Sequence, residues 1–358
     1  MNILAIGCLL LSGYSTQISP ERFVLPSFLG LAFLPLVILN ILFVIFWIIK
    51  LRWYFVFSLL ALLLVYGNLK NIFPLNSSNK NRIAINDSTQ FTLLSYNVKL
   101  FDFYKKSAKL KSYNKTVDYI LKRDADIVCL QEFGYFNSSG YLNAANLLSV
   151  FAKKYKYRHI EYYLNSDQRS TYGVATFSKY PIVKKKGIDY DSKFNFTICS
   201  DIQIREKTIH LINCHLESNQ LTLDDKKKMF ELVDSASQKK IVLTAGLFLR
   251  KLGTASKLRA HQVDVISNAL KEYPSDVVLC GDFNDTPISY TYQKIKGDSL
   301  IDVFASTCSG LGISYNELPF LFRIDYIFHS KNISAGMFKV DKVKYSDHYP
   351  ISCVIDLK

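Results

Sequence analysis

Six short polar motifs interrupt the last three quarters of this 358-residue sequence, and each borders an apolar, strand-like run. Asn97 follows LLSY, Gln131-Glu132 follows DIVCL, and His215 follows LINC. Asp282-Phe283-Asn284-Asp285 follows VVLCG, Asp325 follows RI, and Ser346-Asp347-His348 precedes YPIS. Taken singly, a carboxylate or amide after a strand is a cap or turn residue. Together they offer two imidazoles for proton transfer near neutral pH and a group of oxygens of the kind that hold a hard divalent cation. Strand ends converge on one edge of a sandwich, so these side chains can meet in a single cleft.

The elements that must position them are also legible. From Phe91 onward the runs FTLLSYNV, DIVCLQEF, YGVATFSKYPIV, FTICSDIQI, TIHLINCHLE, DVVLCGDFND, RIDYIFHS and YPISCVIDL are dense in β-branched and aromatic residues and end in polar or turn residues. Helix-like stretches fall near 106–123, 141–155, 223–238 and 255–272. Two strand-rich halves separated by helices predict an α+β sandwich with helices packed outside. No repeat of solenoid period is present.

The ordered set N…QE…HL…GDFN…RIDY…SDH resembles the endonuclease/exonuclease/phosphatase superfamily, the deoxyribonuclease-I-like proteins, over residues 91–358. Its most specific pieces are GDFND at 281–285, RIDYIF at 323–328 and SDHYPI at 346–351. The resemblance implies a four-layer α/β/β/α sandwich and metal-dependent hydrolysis of a phosphoester without a covalent intermediate. It implies Mg²⁺, or Mn²⁺ in its place, held through Glu132 with Asn97 beside it supplying a neutral oxygen, and a further contact from Asp347. By the same resemblance His348 serves as a base or phosphate ligand held in its useful tautomer by Asp325. Asp282 orients or deprotonates the attacking water, Asn284 donates to a phosphoryl oxygen, and His215 flanks the phosphate. Which histidine is acid and which is base stays open. The family includes nucleases, inositol-phosphate phosphatases and sphingomyelin phosphodiesterases, so nucleic acid and a phospholipid headgroup both stand as substrates, and fold does not choose between them.

Nearby residues carry weaker signals. Glu217 and Asp285 read as loop and turn residues, Arg323 reads as a phosphate contact or the partner of an acid, and Tyr172 reads equally as a substrate contact or a packing residue. His159, His210, His261 and His329 have no motif around them. Residues 306–320 (STCSGLGISYNELPF) occupy the segment before RIDY, where substrate identity would be decided, and carry no readable signal.

The net charge is +14. Residues 1–70 hold Arg22, Lys50, Arg52 and Lys70 against Glu21; subtracting this +3 leaves +11 on the rest. Such an excess suits polyanionic partners, or is a solvated lysine-rich surface. The seven cysteines form no C-x-x-C pair, which removes zinc-ribbon and redox motifs; those in strand-like runs read as small buried hydrophobes.

The N-terminus predicts a membrane anchor at 1–73 with two to three transmembrane helices, a linker at 74–90, and the catalytic domain at 91–358. Residues 28–49 hold 22 uncharged residues and 53–69 are uncharged too; about 20 apolar residues cross a bilayer core. Residues 3–14 are shorter, either a signal core or a truncated span. The Lys50-Leu51-Arg52 turn sets the C-terminal domain on the outer, periplasmic side by the positive-inside rule. A catalytically inactive membrane scaffold is the alternative, opposed by the presence of every expected site residue. A transporter is opposed by spans without an internal acid.

Overall fold

Alternation along the predicted strands produces two β-sheets in the structure, a computed structural model that describes residues 1–83, 89–103, 114–135, 142–164, 170–190, 192, 194–221, 225, 238–273, 275–318 and 320–357. The chain forms two compact units. The larger contains Phe73–Leu216, Val265–Phe283 and Lys296–Lys358; the smaller contains Met1–Ile72, Glu217–Asp264 and Asn284–Ile295.

In the larger unit the strands are β1 (Gln90–Asn97), β2 (Ile127–Phe133), β3 (Tyr157–Leu164), β4 (Thr171–Ser178), β5 (Ile182–Ile188), β6 (Phe196–Ile204), β7 (Lys207–His215), β8 (Val277–Asp282), β9 (Leu300–Asp302), β10 (Asp325–Ser330), β11 (Ser334–Val340) and β12 (Ile351–Asp356). They form two six-stranded sheets, ordered β11-β12-β1-β2-β4-β3 and β5-β6-β7-β8-β10-β9. Each sheet is mixed: β1 and β2 run parallel in the first, and β7 and β8 run parallel in the second, with antiparallel neighbours outside them. The predicted run YGVATFSKYPIV is two strands rather than one. It breaks around Pro181, so β4 closes onto the first sheet while β5 becomes the edge of the second.

Inward residues of both sheets share one core. Leu93, Ile127, Cys129, Leu211, Val278, Cys280, Ile327 and Cys353 interdigitate there, and each fully buried aliphatic side chain stabilises by roughly 1.5–3 kcal/mol. The cysteines are free, and those in strands are buried. On the outer face of the first sheet, Leu94, Tyr96, Val128, Leu130 and Phe177 pack against helices α6 (Lys115–Arg123) and α7 (Ala144–Ala152). The Asn114 side chain caps the start of α6 by accepting from Thr116 and Val117 N–H, and Asn143 caps α7 through Asn146 N–H. The predicted helix at 223–238 lies almost wholly outside the described residues. The one predicted at 255–272 is the second half of a longer helix, Gln238–Leu270.

The smaller unit begins with α1 (Asn2–Tyr14), α2 (Leu25–Leu31), α3 (Phe33–Ile49), α4 (Phe55–Leu64) and α5 (Tyr66–Ile72). The expected straight spans are bent. Residues 28–49 break at Ala32, where α2 and α3 meet at 72°, and α4 meets α5 at 58°. Pro35 explains the first break, since it has no N–H for the Leu31 carbonyl and is tolerated only in the first turn of a new helix. Among the described residues no single helix is long and apolar enough to cross a membrane, although the two bent pairs are by length and composition. Leu9, Phe33, Val37, Ala61, Val65 and Ile288 form the core of this unit. Buried polar side chains tie its helices: Asn40 Nδ2 donates to Ala5 O at 3.2 Å, and Asn68 Nδ2 donates to Gly13 O at 2.7 Å. Much apolar surface stays outside, including Ile38, Leu42, Leu60, Leu63 and Leu64.

Candidate active site

The parallel pairs at the centre of each sheet send the C-terminal ends of β1, β2, β7 and β8 to one edge, and seven of the eight predicted site residues of the chain meet there. Asn97 ends β1 opposite Gln131, while His215 ends β7 opposite Asp282, which ends β8. Asp325, which opens the antiparallel β10, also faces Asp282 in register. Asn284 follows Phe283 with φ +52 and belongs to the smaller unit, so the group of seven is Asn97, Glu132, His215, Asp282, Asp325, Asp347 and His348.

Backbone irregularities aim the side chains. A register shift between Leu130 and Phe133 in β2 accompanies φ +48 at Glu132. This bulge turns the Glu132 carboxylate out of the strand's alternation, the usual use of a bulge beside a site. Gly281 has φ +143, and a Cβ there would stand 1.9 Å from Cys214 O. Only glycine permits β8 to lie so close to β7 that Asp282 meets His215. Ser314 Oγ accepts from Ile324 N and Asp325 N, and Ser346 Oγ donates to Asn97 O at 2.8 Å, which fixes the Asp347-His348 segment beside β1.

Asp282 is the hub. Its Oδ2 accepts from Asn97 Nδ2 at 2.9 Å and stands 3.6 Å from His348 Nε2 and 3.9 Å from His215 Nε2. Asn97 Nδ2 also donates to Glu132 Oε1 at 3.1 Å, and Asn97 Oδ1 accepts from Lys99 N. His348 Nδ1 lies 2.8 Å from Asp325 Oδ2, which leaves Nε2 pointing toward Asp282. His215 is fully buried, yet neither ring nitrogen has a hydrogen-bond partner, and Glu132 Oε1 is 3.8 Å away.

The charges are strongly coupled. Burial pushes Glu132 up to about 7, with Asp347 acting in the same sense. Burial also raises Asp282, helped by Asp325 and opposed by His348. His215 is pushed down to about 4 by burial and so is neutral at pH 7. Burial opposes charge on His348, but Asp325, Asp282 and Asp347 outweigh it and hold the imidazole up to about 10. For Asp347 burial is outweighed by His348 and Lys99, and its carboxyl is lowered.

Several contributors carried no sequence signal. Lys99 Nζ pairs with Asp347 Oδ2 at 2.6 Å and Glu317 Oε1 at 3.3 Å, and Glu317 comes from the loop at 306–320. Tyr315 sets its ring 5.1 Å from that of His348. Behind the site Gln131 Nε2 donates to Asn213 Oδ1 at 2.7 Å, a buried link between the two sheets. Tyr172 places its ring 6.0 Å from that of His215. Glu217 and Asp285, read as loop and turn residues, make structural contacts, and Arg323, read as a phosphate contact or the partner of an acid, meets an acid. Arg323 forms a buried pair with Asp302 at 2.6 Å, Asp285 accepts from Thr286 N and Arg259 Nε, and Glu217 N donates to Gln262.

The site suits a hard divalent cation. Burial raises the Glu132 and Asp282 carboxyls, a cost that a bound cation would offset. His215 has two orphaned nitrogens beside them. Asp282, Asp325 and His348 also present one donor atom each within 4.8 Å of one another. The donors are mostly oxygen, as such a cation prefers.

Comparison with known proteins identifies the family. The chain belongs to the Endonuclease/Exonuclease/phosphatase family, whose sequence profile matches residues 94–348. A domain of unknown function matches residues 1–72. The CCR4-Not complex 3'-5'-exoribonuclease subunit Ccr4 of Debaryomyces hansenii is 24% identical over 334 residues, covering 76% of this chain and 38% of that protein. This chain therefore spans well under half of that relative. Among solved structures, SmcL is 18% identical with TM-score 0.53, covering 75% of this chain and 99% of its own. An endonuclease/exonuclease/phosphatase from Beutenbergia cavernae is 14% identical with TM-score 0.50, covering 75% and 72%. At such identities the likeness is one of fold, an α+β fold with two mixed sheets.

Proposed function

We propose that the chain hydrolyses a phosphoester in this cleft with Mg²⁺. The observation that carries this reading is the Asp282 hub, at which an amide and two histidines, one of them oriented by Asp325, converge on one buried carboxylate. Glu132, Asn97 and Asp347 would hold the ion. When bound, it supplies electrostatic stabilisation for charge developing on the phosphoryl oxygens. Asp282, raised and flanked by donors, orients the attacking water and accepts its proton. His348, cationic and fixed through Nδ1 by Asp325, donates from Nε2 to a phosphoryl oxygen. Neutral His215 donates its one ring N–H to the phosphate, and Asn284 adds a donor by its place in the GDFND motif. The exoribonuclease relative supports a nucleic-acid substrate. The test is Mg²⁺-dependent cleavage of oligonucleotides, phospholipids and an aryl phosphodiester by the full chain, with His348→Ala alongside. Turnover that survives chelator or the substitution would sink the assignment.

The same reading places the chain at a membrane through its N-terminal helices. The exposed aliphatic surface of α3 and α4 supports this, as does a cluster of Trp47, Trp53, Tyr54 and Phe57 beside the Lys50-Arg52 turn. That turn faces the cytoplasm and the catalytic domain faces outward. Recovery of the chain in the membrane fraction after carbonate extraction, and protease access to residues 91–358 in spheroplasts, are the expected results. Recovery in the soluble fraction would remove the anchor.

A further inference from the structure

The rim of the site is lined by rings. Tyr163 of β3 faces Tyr172 of β4 in register. Starting from the buried His215, ring centroids step 6.0 Å to Tyr172, 6.1 Å to Phe194 and 5.7 Å to Tyr163. The last two contacts are edge-to-face, at 82° and 71°, and Phe194 is 53% exposed. A second pair, Tyr135 just after β2 and Tyr162 of β3, lies 5.7 Å apart.

The exposed surface then turns cationic. β5, the edge strand beside β6, carries exposed Lys184, Lys185 and Lys186, of which Lys186 pairs with Glu272. At roughly 3.3 Å per residue these lie about 7 to 13 Å along the edge from the Ile188 end. Beyond them is a cavity of ≈290 Å³ lined by Lys156, Tyr157, Arg158, Ile182 and Lys185, contributed by the edge strands of both sheets. Lysines on an edge strand also block strand pairing. That role explains neither the tyrosine and arginine opposite them nor the rings leading back to His215.

We infer that this edge is a track for single-stranded nucleic acid, with a base stacked on Phe194 next to the scissile phosphate and the following phosphates passing over Lys184 and Lys185. The inference rests on the phosphoester reading above and names its substrate. Rings interleaved with cations are the means by which proteins hold single strands without reading sequence. At the site end of this edge, the exposed apolar groups among the described residues are aromatic, Tyr162 and Phe194, which suits a flat base rather than an acyl chain.

The test uses the full chain in chelator, with a labelled single-stranded oligonucleotide, its abasic counterpart and phospholipid vesicles, followed by turnover in Mg²⁺. The base-bearing strand is expected to bind about tenfold tighter than the abasic one, and Phe194→Ala to remove that difference while Phe194→Trp restores it. Lys184→Ala with Lys185→Ala should weaken both strands and flatten the salt dependence by about 1 to 1.5 in slope. Equal binding of the two strands, or binding only to vesicles, overturns the track. If an aryl phosphodiester is still cleaved in that case, the phosphoester reading survives without it. If base-dependent binding holds but nothing is cleaved, the track stands and the hydrolytic reading falls.

Discussion

Lys99 Nζ lies 2.6 Å from Asp347 Oδ2, so a carboxylate assigned to the metal already has a cationic partner of its own. Lys99 is held there by a run of left-handed backbone, with φ near +50 at residues 99–102. The ammonium and an incoming cation compete for the same oxygen. Lys99→Met is therefore expected to tighten the apparent Mg²⁺ affinity about fivefold, the equivalent of the roughly 1 kcal/mol that a half-exposed pair contributes. A magnesium titration of activity measures it, and unchanged or weaker affinity would show that the two do not share Asp347.

Metal binding should depend on pH through Glu132. Its carboxyl is raised from 4.5 to about 7, so below that value a proton must leave before the ion enters. Apparent affinity is expected to fall about tenfold per pH unit below 7 and to level off above it. The sign for folding of the metal-free protein is opposite. Between 4.5 and 7 the native state holds the proton more tightly than the unfolded chain, so this group's contribution declines as pH rises through that window. Calorimetric titration across pH 5–8, with Glu132→Gln as the control, separates this group from the others.

His348→Ala and Asp282→Ala should each lower kcat by about 10²–10⁴-fold, as loss of a proton-transfer or charge-stabilising group does. Asp325→Asn should act through His348, lowering its pKa from about 10 and moving the alkaline limb of the pH–rate profile downward. A profile that keeps its shape in Asp325→Asn would refute the orienting role.

Gly281→Ala tests the close approach of β8 to β7. The added methyl meets Cys214 O at 1.9 Å, and φ +143 is closed to alanine. Destabilisation of at least about 3 kcal/mol is expected, seen as a lower midpoint in urea. A fold as stable as the parent would mean that Asp282 is placed by something else.

The site is legible in the sequence through residue types that have few other reasons to follow strands in that order, and most strands are legible through their β-branched runs. What depends on partners distant in the chain is not. β3, YRHIEYYL, mixes charge with aromatics because it is an edge strand, and shows no clean alternation. The passage from β4 to β5 between sheets leaves no mark beyond Pro181. The bulge that turns Glu132 out of the strand's alternation leaves no mark in the sequence, and Lys99 and Glu317 become neighbours only once the loop at 306–320 is folded. At the N-terminus hydropathy gave the apolar content correctly but could not place the bends, which Pro35 makes predictable only in retrospect.

The pairing of β1 with β12 also sets an order of events during synthesis. Thr89 and Asp356 share a hydrogen bond across 267 positions, and His348 sits just ahead of β12. While the chain emerges from the ribosome, one side of β1 stays bare and the cleft has neither its second imidazole nor Asp347. The cleft therefore gains its second imidazole only once residues 347 and 348 have emerged, a few positions ahead of the strand that closes the open side of β1.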